Sequence, residues 1–200
     1  VLIATGATGQ VDFGAYYTKI NTGQNWAPYS RQGNHADIIV KLSDAGGQIV
    51  FWRGNSYLPY WKTDQGQWNF LEIIARTGNG TSEMPDKANV YSHAEIIQNS
   101  PRQIIIQWRY LSKFAAGNPH KGVNPDNFVE ETFTITPDGM VKRDVKTGTA
   151  KIDEWNNPAY KTTQILQLRA NGIKQISFSK PRHSLQKTRV KGEPATGPVI

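Results

Sequence analysis

Five polar residues near the middle of the sequence have the types and the spacing to bind a sugar: Tyr91, His93, Glu95, Gln107 and Arg109. Alternate residues of a strand share one face, so two paired strands would present these side chains together. Their planar polar groups would hydrogen-bond sugar hydroxyls, and the Arg109 guanidinium would bind a carboxylate or sulfate. The alternative is an ordinary solvent-facing sheet surface with cross-strand pairs.

The same face allows a narrower, catalytic hypothesis. His93, or a nearby tyrosine such as Tyr57, would remove the proton α to a uronate carboxylate while Arg109 neutralises that carboxylate. A histidine on a strand is more often a simple hydrogen-bonding residue. We therefore expect the isolated chain not to be an enzyme. If it is one, these residues point to a polysaccharide lyase or a glycoside hydrolase.

The segment FWRGNSYLPYW, residues 51–61, holds five aromatic residues and one arginine. Aromatic faces stack on sugar rings and on nucleobases alike, so the segment is a second candidate binding surface. The alternative is that its aromatic residues belong to the core. The substrate-binding residues predicted here are Trp52, Arg53, Tyr57, Tyr60 and Trp61.

Backbone chemistry predicts how this segment runs. A strand ending at Arg53 would point Phe51 and Arg53 to one side of the sheet and Trp52 to the other. Pro59 has no N–H to donate to a ladder, which argues against a central strand for SYLPYW. We therefore expect Tyr60 and Trp61, like Tyr57, to lie in or beside a loop.

Metal and cofactor signals are weak. The residues NPDN offer Asp126 and Asn127 as calcium ligands but lack the alternating acidic pattern of a dedicated loop. The four histidines show no ligand spacing; they are His35, His93, His120 and His183. We expect no metal and no cofactor.

The first fourteen residues, VLIATGATGQVDFG, have the apolar strand and glycine-rich turn with which a dinucleotide-binding domain begins. Asp12, however, stands where the third glycine belongs, and its carboxylate would repel a pyrophosphate. No alternation of strands and helices follows. The segment therefore predicts a glycine-rich strand and turn at the edge of a β domain.

Four pairs of β-branched and alternating segments surround turn signals, which predicts four hairpins. The first two are ADIIVKL and QIVFWRG around SDAGG, and VYSHAEIIQ and RQIIIQWRYL around NSP. The last two are VEETFTI and MVKRDV around TPDG, and TTQILQLRA and IKQISFS around Asn171-Gly172. A further strand is favoured for WNFLEIIARTG. Consecutive hairpins without long helical patterns predict an all-β, antiparallel β-sandwich, of jelly-roll or supersandwich type.

The second hairpin has a register that separates its faces. A loop of Ser100-Pro101-Arg102 places Asn99 opposite Gln103. It then pairs Ala94 with Trp108 and Ile96 with Ile106 on an apolar face, which leaves the polar residues on the other. The predicted polar pairs are His93 with Arg109 and Glu95 with Gln107.

Composition limits the function classes. The 200 residues carry a net charge of +7, contain no cysteine and are 38% hydrophobic. This excludes disulfides, thiolate catalysis and a disordered chain, and it favours polyanionic partners. No apolar run is long enough for a membrane-spanning helix. Much of the positive charge lies near the end, so we predict one domain over residues 1–180 and a basic tail or linker over residues 181–200.

Three segments, in order, carry a resemblance: FWRGNSYLPYW, YSHAEIIQNSPRQIIIQWRY and ETFTITPDGMVKRDV. Over roughly residues 36–170 they resemble the β-sandwich region of large secreted bacterial proteins associated with polysaccharide breakdown. Gln107 stands where that pattern has a histidine before Trp108, and Thr136 stands where it has a tyrosine before Pro137. The resemblance implies association with carbohydrate and transfers no catalytic residue.

These observations predict an accessory, non-catalytic carbohydrate-associated β-sandwich domain of a secreted or periplasmic bacterial protein. Its predicted partner is an acidic polysaccharide or oligosaccharide. One alternative is a lyase or glycosidase that uses the face of His93 and Arg109. Another is a structural or assembly module that contacts other domains or subunits of a larger protein. Nucleic acid ranks last because no recognition motif accompanies the charge. The chain begins at Val1 without a signal-like segment, so we expect a processed chain or part of a longer protein.

Overall fold

The computed structural model describes residues 13–20, 36–76, 86, 89–112, 128–148, 155 and 157–179. Within these ranges the chain is all-β, as predicted. Its strands form two antiparallel sheets, and 3-10 turns span Arg53–Asn55 and Pro158–Tyr160.

The first sheet has five strands in sequence order, each paired with the next. They are β1 (Phe13–Thr18), β2 (Asp37–Leu42), β3 (Gly47–Phe51), β4 (Tyr60–Thr63) and β5 (Gly66–Asn69). The second sheet has six strands, also paired in sequence order. They are β6 (His93–Asn99), β7 (Ile104–Leu111), β8 (Phe128–Ile135), β9 (Met140–Thr147), β10 (Lys161–Arg169) and β11 (Gly172–Ser179).

The two sheets pack face to face around one hydrophobic core, which confirms the sandwich. Phe133 of the six-stranded sheet stands at its centre and meets two rings from the other layer edge to face. Its centroid lies 5.2 Å from that of Phe51 and 5.9 Å from that of Phe70. Such edge-to-face pairs add to the stabilisation that area burial alone gives.

Hydrogen bonds between the sheets close both open sides of the sandwich. On one side, Asn99 of β6 bonds the backbone of Ala15 in β1 through both ends of its amide, at 2.8 and 3.1 Å. On the other, the Trp61 indole N–H donates to the Arg169 carbonyl (2.7 Å), and the Thr63 hydroxyl donates to that of Ala170 (2.7 Å). The two layers are therefore fixed in position relative to each other.

All four predicted hairpins are present. Gly46 (φ +75°) and Gly139 (φ +81°) close the first and third turns in the left-handed region, which glycine adopts without steric cost. The fourth turn is displaced by one residue from the prediction. Its loop residues are Ala170 and Asn171, and Gly172 already pairs with Arg169.

The register predicted for the second hairpin is confirmed, although its loop is not. Trp108 is fully buried opposite Ala94, and His93 lies opposite Arg109 on the outer face. The loop has four residues, 100–103, and Asn99 pairs with Ile104 rather than Gln103. A bulge at Ile97 inserts one extra residue, which restores the predicted pairing beyond it.

Two local predictions for residues 51–61 are wrong. β3 ends at Phe51, and Arg53 begins a 3-10 turn instead of ending the strand. Tyr60 and Trp61 belong to β4, which is hydrogen-bonded between β3 and β5. Pro59 only precedes that strand, so its missing N–H costs the ladder nothing, and its carbonyl accepts the N–H of Phe70 (3.0 Å).

The strand favoured for residues 68–78 extends only to Asn69. Residues 70–76 belong to no strand: Phe70 packs on Phe133, and the Arg76 guanidinium lies 5.3 Å from the centre of the Trp108 ring in the other sheet. The residues beyond 76 in that segment, the opening 1–12, the proposed tail 181–200 and the calcium candidates Asp126 and Asn127 lie outside the described residues. So do His35, His120 and His183. Phe13 begins β1, an edge strand, next to the glycine-rich opening.

Candidate functional site

The predicted polar face lies on the outer surface of the six-stranded sheet. His93 and Arg109 are exposed there, and Glu95 and Gln107 are half-buried. Tyr91 stands apart because it precedes β6, and its backbone N–H donates to the Asp86 carboxylate (2.7 Å). The structure therefore brings together four of the five residues.

Ion pairs occupy much of this face. Arg109 donates from Nη2 and Nε to the same oxygen of Glu130, at 2.8 and 3.0 Å. Asp144 lies between Lys142 (3.1 Å) and Lys161 (3.2 Å). These contacts fit the alternative of a solvent-facing surface with cross-strand pairs, because the cations are already neutralised within the sheet.

Asp144 also shows how these pairs act on a carboxyl group. Its partial burial would by itself raise the pKa. The hydroxyl of Thr163, which donates to Asp144 at 2.6 Å, and the ammonium groups of Lys142 and Lys161 outweigh burial and lower that pKa below its ordinary value. The carboxylate is therefore held in its charged form at neutral pH.

The aromatic segment divides between core and surface. Trp61 is fully buried, Tyr57 is 1% exposed and Arg53 is 4% exposed, whereas Trp52 and Tyr60 are half-buried. Tyr57 turns inward because the chain leaves the 3-10 turn through two residues with positive φ, Ser56 (+54°) and Tyr57 (+65°). A direct ligand contact is thus open only to Trp52 and Tyr60.

The catalytic candidates do not share a surface. Tyr57 is part of the core between the sheets, while His93 and Arg109 point outward from the six-stranded sheet. Tyr60, the half-buried tyrosine, has its pKa raised by burial and by the negative charge of Asp37. A tyrosine that removes a proton needs the opposite shift, so Tyr60 serves as a neutral hydroxyl at neutral pH.

A concave surface lies on the outer face of the five-stranded sheet, and none of its lining residues is among the predicted site residues. We name it the lysine depression: a cavity of about 460 Å³ at the ends of the β2–β3 and β4–β5 hairpins. Lys41, Gln48 and Lys62 stand side by side there on neighbouring strands. Its lining residues are Lys41, Ser43, Gly46, Gly47, Gln48, Lys62, Thr63 and Asp64.

Tyrosines border the lysine depression. Tyr60 precedes Lys62 by two residues on β4, so the two side chains share the outer face. The Lys41 ammonium lies 5.9 Å from the centre of the Tyr16 ring, within the range of a cation–π contact. The depression itself therefore combines two cations and one amide, and a half-buried ring lies on the same sheet face.

A second concave region surrounds Trp68 at the seam between β5 and the β10–β11 hairpin. The indole borders a cavity of about 170 Å³ on one side and one of about 240 Å³ on the other. The smaller is lined by Trp68, Asn69, Phe70, Leu71, Gln164, Leu166, Ile173 and Gln175. We name this smaller cavity the Trp68 cavity.

Both surfaces arise from pairings between distant segments. For the lysine depression a local signal existed, since Lys41, Gln48 and Lys62 each fall on the polar side of an alternating strand. Their side-by-side arrangement required the registers of three strands. For the Trp68 cavity no local signal existed, because four strands, β6 to β9, separate β5 from β10 in the sequence.

Among the described residues, no three histidine or acidic side chains converge on a common point as metal ligands would. Within the same ranges, no helix has the length and hydrophobicity to cross a membrane. No family model, curated protein or solved structure matches this chain.

Proposed function

We propose that this chain is a non-catalytic, carbohydrate-associated β-sandwich domain that binds acidic glycans, with the lysine depression as its binding surface. The observation that carries the proposal is the row Lys41, Gln48 and Lys62 across three paired strands, on the same face as Tyr60. A location outside the bacterial cytoplasm, secreted or periplasmic, belongs to the same proposal, since such glycans are extracellular.

The chemistry of this row suits an extended anionic polymer. Neighbouring strands are about 4.8 Å apart, so the backbones at Lys41 and Lys62 are separated by about 10 Å, and two anionic groups can be bound at once. Gln48 lies between them and offers both a donor and an acceptor to hydroxyl groups. Tyr60 supplies an aromatic ring on the same face of β4 as Lys62. Among the described lining residues Asp64 is the one carboxylate against two lysines, so their net charge is positive.

The lysines provide the direct test. We expect Lys41→Ala and Lys62→Ala each to weaken the binding of an oligouronate by about 1 kcal/mol, the upper range for exposed ion pairs. The double variant should bind about tenfold or more weakly. Isothermal titration calorimetry with oligogalacturonate or oligoalginate, repeated at rising salt, measures both the affinity and its ionic component.

A matched control removes the same charge elsewhere. Lys142 and Lys146 lie on the outer face of the other sheet, where each contacts a carboxylate. The Lys142→Ala/Lys146→Ala variant should bind the oligouronate as the wild type does. Equal losses in both double variants would mean that net charge alone attracts the glycan, and the lysine depression would then be rejected as the site.

The absence of catalysis is a separate prediction. The proposed acid–base residues are divided between the core and the outer face, and we expect no unsaturated product from alginate, pectin or ulvan-type substrates. Ultraviolet absorbance of the product double bond measures this. Product formation that disappears in His93→Ala would contradict the non-catalytic role and favour a lyase.

A further inference from the structure

The Trp68 cavity has the dimensions of a site for one ring. It occupies about 170 Å³ between β5 and the β10–β11 hairpin. An enclosed cavity of about 150 Å³ in an apolar protein interior accommodates benzene, so this partly open cavity has room for one six-membered ring whose substituents reach solvent. The cavity shares no residue with the lysine depression.

Its lining combines apolar surface with amides. Trp68, Leu166 and Ile173 supply the apolar walls, and Gln164 and Gln175 supply side-chain amides. The Gln164 amide donates to the Gln175 side-chain oxygen at 2.7 Å, which fixes the orientation of both groups. None of the described lining residues is charged, so a charged ring would lose its hydration without gaining a counter-ion.

The walls of the cavity are held in place before any ligand arrives. Trp61, which pairs with Trp68 across β4 and β5, donates its indole N–H to the carbonyl of Arg169. Arg143, which is fully buried, donates to the Leu71 carbonyl (2.7 Å) and to the Gln164 side-chain oxygen (3.4 Å). A cavity anchored in this way loses little conformational entropy on binding.

We propose that the Trp68 cavity binds a single neutral hexopyranose ring. One apolar face of the sugar lies against the Trp68 indole, and its hydroxyls exchange hydrogen bonds with the side-chain amide of Gln175. A purely apolar ring would make no hydrogen bond to the Gln175 amide, whereas the hydroxyl groups of a sugar would. Because the volume admits one ring, the sugar is a monosaccharide or the terminal residue of a chain.

Saturation-transfer NMR and calorimetry with methyl hexopyranosides (glucoside, galactoside and mannoside) test the proposal on the full chain. Cyclohexanol serves as the apolar comparison and glucuronate as the charged one. We expect saturable binding of at least one neutral glycoside, with weaker binding of both comparison compounds. Leu166→Trp, which fills the cavity, should weaken that binding by at least about tenfold.

Ile165→Trp is the matched control, because residue 165 precedes Leu166 on β10 and points to the opposite side of the sheet. It should bind the glycoside as the wild type does. Gln175→Leu, on the exposed strand β11, removes the amide and lowers stability by the loss of the bond from the buried Gln164. In the folded protein it should weaken glycoside binding while leaving cyclohexanol binding unchanged. If Leu166→Trp fails to fold, Gln175→Leu tests whether the glycoside binds in the Trp68 cavity.

The proposal is overturned if no neutral glycoside binds saturably, if cyclohexanol or glucuronate binds more tightly, or if the glycoside binds Leu166→Trp as well as Ile165→Trp. If the wild-type chain binds no oligouronate, or binds it equally in the lysine variants, these results stand unchanged, since the two cavities use different residues and different ligands.

Discussion

Replacing Arg143 with methionine is expected to lower the free energy of unfolding by about 3 to 5 kcal/mol, the range for breaking a buried ion pair. Arg143 and Glu131 are both fully buried, and their Nε and Oε2 atoms are 2.6 Å apart. The variant would leave the carboxyl group of Glu131 without its cation between the two sheets. Urea denaturation at neutral pH measures the loss.

The environment of the pair explains the size of this effect. Arg143 also donates to the Leu71 carbonyl, so its loss leaves a second acceptor without that bond. On the other side of the carboxylate, the Tyr110 hydroxyl donates to Glu131 at 2.8 Å. Burial, followed by the negative charge of Glu131, raises the pKa of Tyr110 well above its ordinary value, so this hydroxyl keeps its proton. The neutral Tyr110 hydroxyl alone does not compensate Glu131 for the loss of the Arg143 guanidinium.

Two further variants make this prediction specific. Arg109→Met breaks the pair with Glu130, in which the Arg109 side chain is 58% exposed, and should cost less than about 1 kcal/mol. The Arg143→Met/Glu131→Leu double variant removes both charges and should recover much of the loss, since apolar replacements of buried pairs are often neutral. A cost below about 1 kcal/mol for Arg143→Met alone would contradict a buried, energetically coupled pair.

The buried pair could have been predicted from the sequence. In VEETFTI the residues Val129, Phe133 and Ile135 define the inward side of β8, and strict alternation places Glu131 on that side too. The same alternation places Arg143 between Val141 and Val145 on β9. Two opposite charges at inward positions of consecutive strands are the signal of a buried ion pair. The hairpins were predictable for the same reason, because alternation and turn residues are local.

The candidate sites were less predictable because they depend on pairings between distant segments. Trp68 reads as part of one long strand, and only the meeting of β5 with β11 makes it the wall of a cavity. The prediction that Tyr60 and Trp61 lie in or beside a loop was wrong for a more local reason. The proline rule concerns positions inside a ladder, whereas Pro59 lies one residue before β4, so Tyr60 and Trp61 join the sheet. No sequence signal as strong as alternation or a turn residue predicts the bulge at Ile97.

Replacing Trp61, a fully buried member of the aromatic segment, is expected to have the second large effect on the free energy of unfolding. Trp61→Ala should lower the free energy of unfolding by about 3 to 5 kcal/mol, as expected for removing a fully buried tryptophan. Trp61→Phe keeps most of the ring but leaves the Arg169 carbonyl without its indole donor, so it should cost about 1 to 3 kcal/mol. Urea denaturation, with the midpoint and slope compared, measures both.

Tyr60 provides the contrast on the same strand, because it is half-buried and faces outward beside Lys62. Tyr60→Ala should leave the fold intact and weaken oligouronate binding by about 1 to 3 kcal/mol, the range for a stacked ring. Trp61→Phe should bind the oligouronate as the wild type does, since its ring points into the core. The opposite pattern, with binding lost in Trp61→Phe and kept in Tyr60→Ala, would show that the glycan approaches from the interior side of β4. The lysine depression would then have to be abandoned as the binding surface.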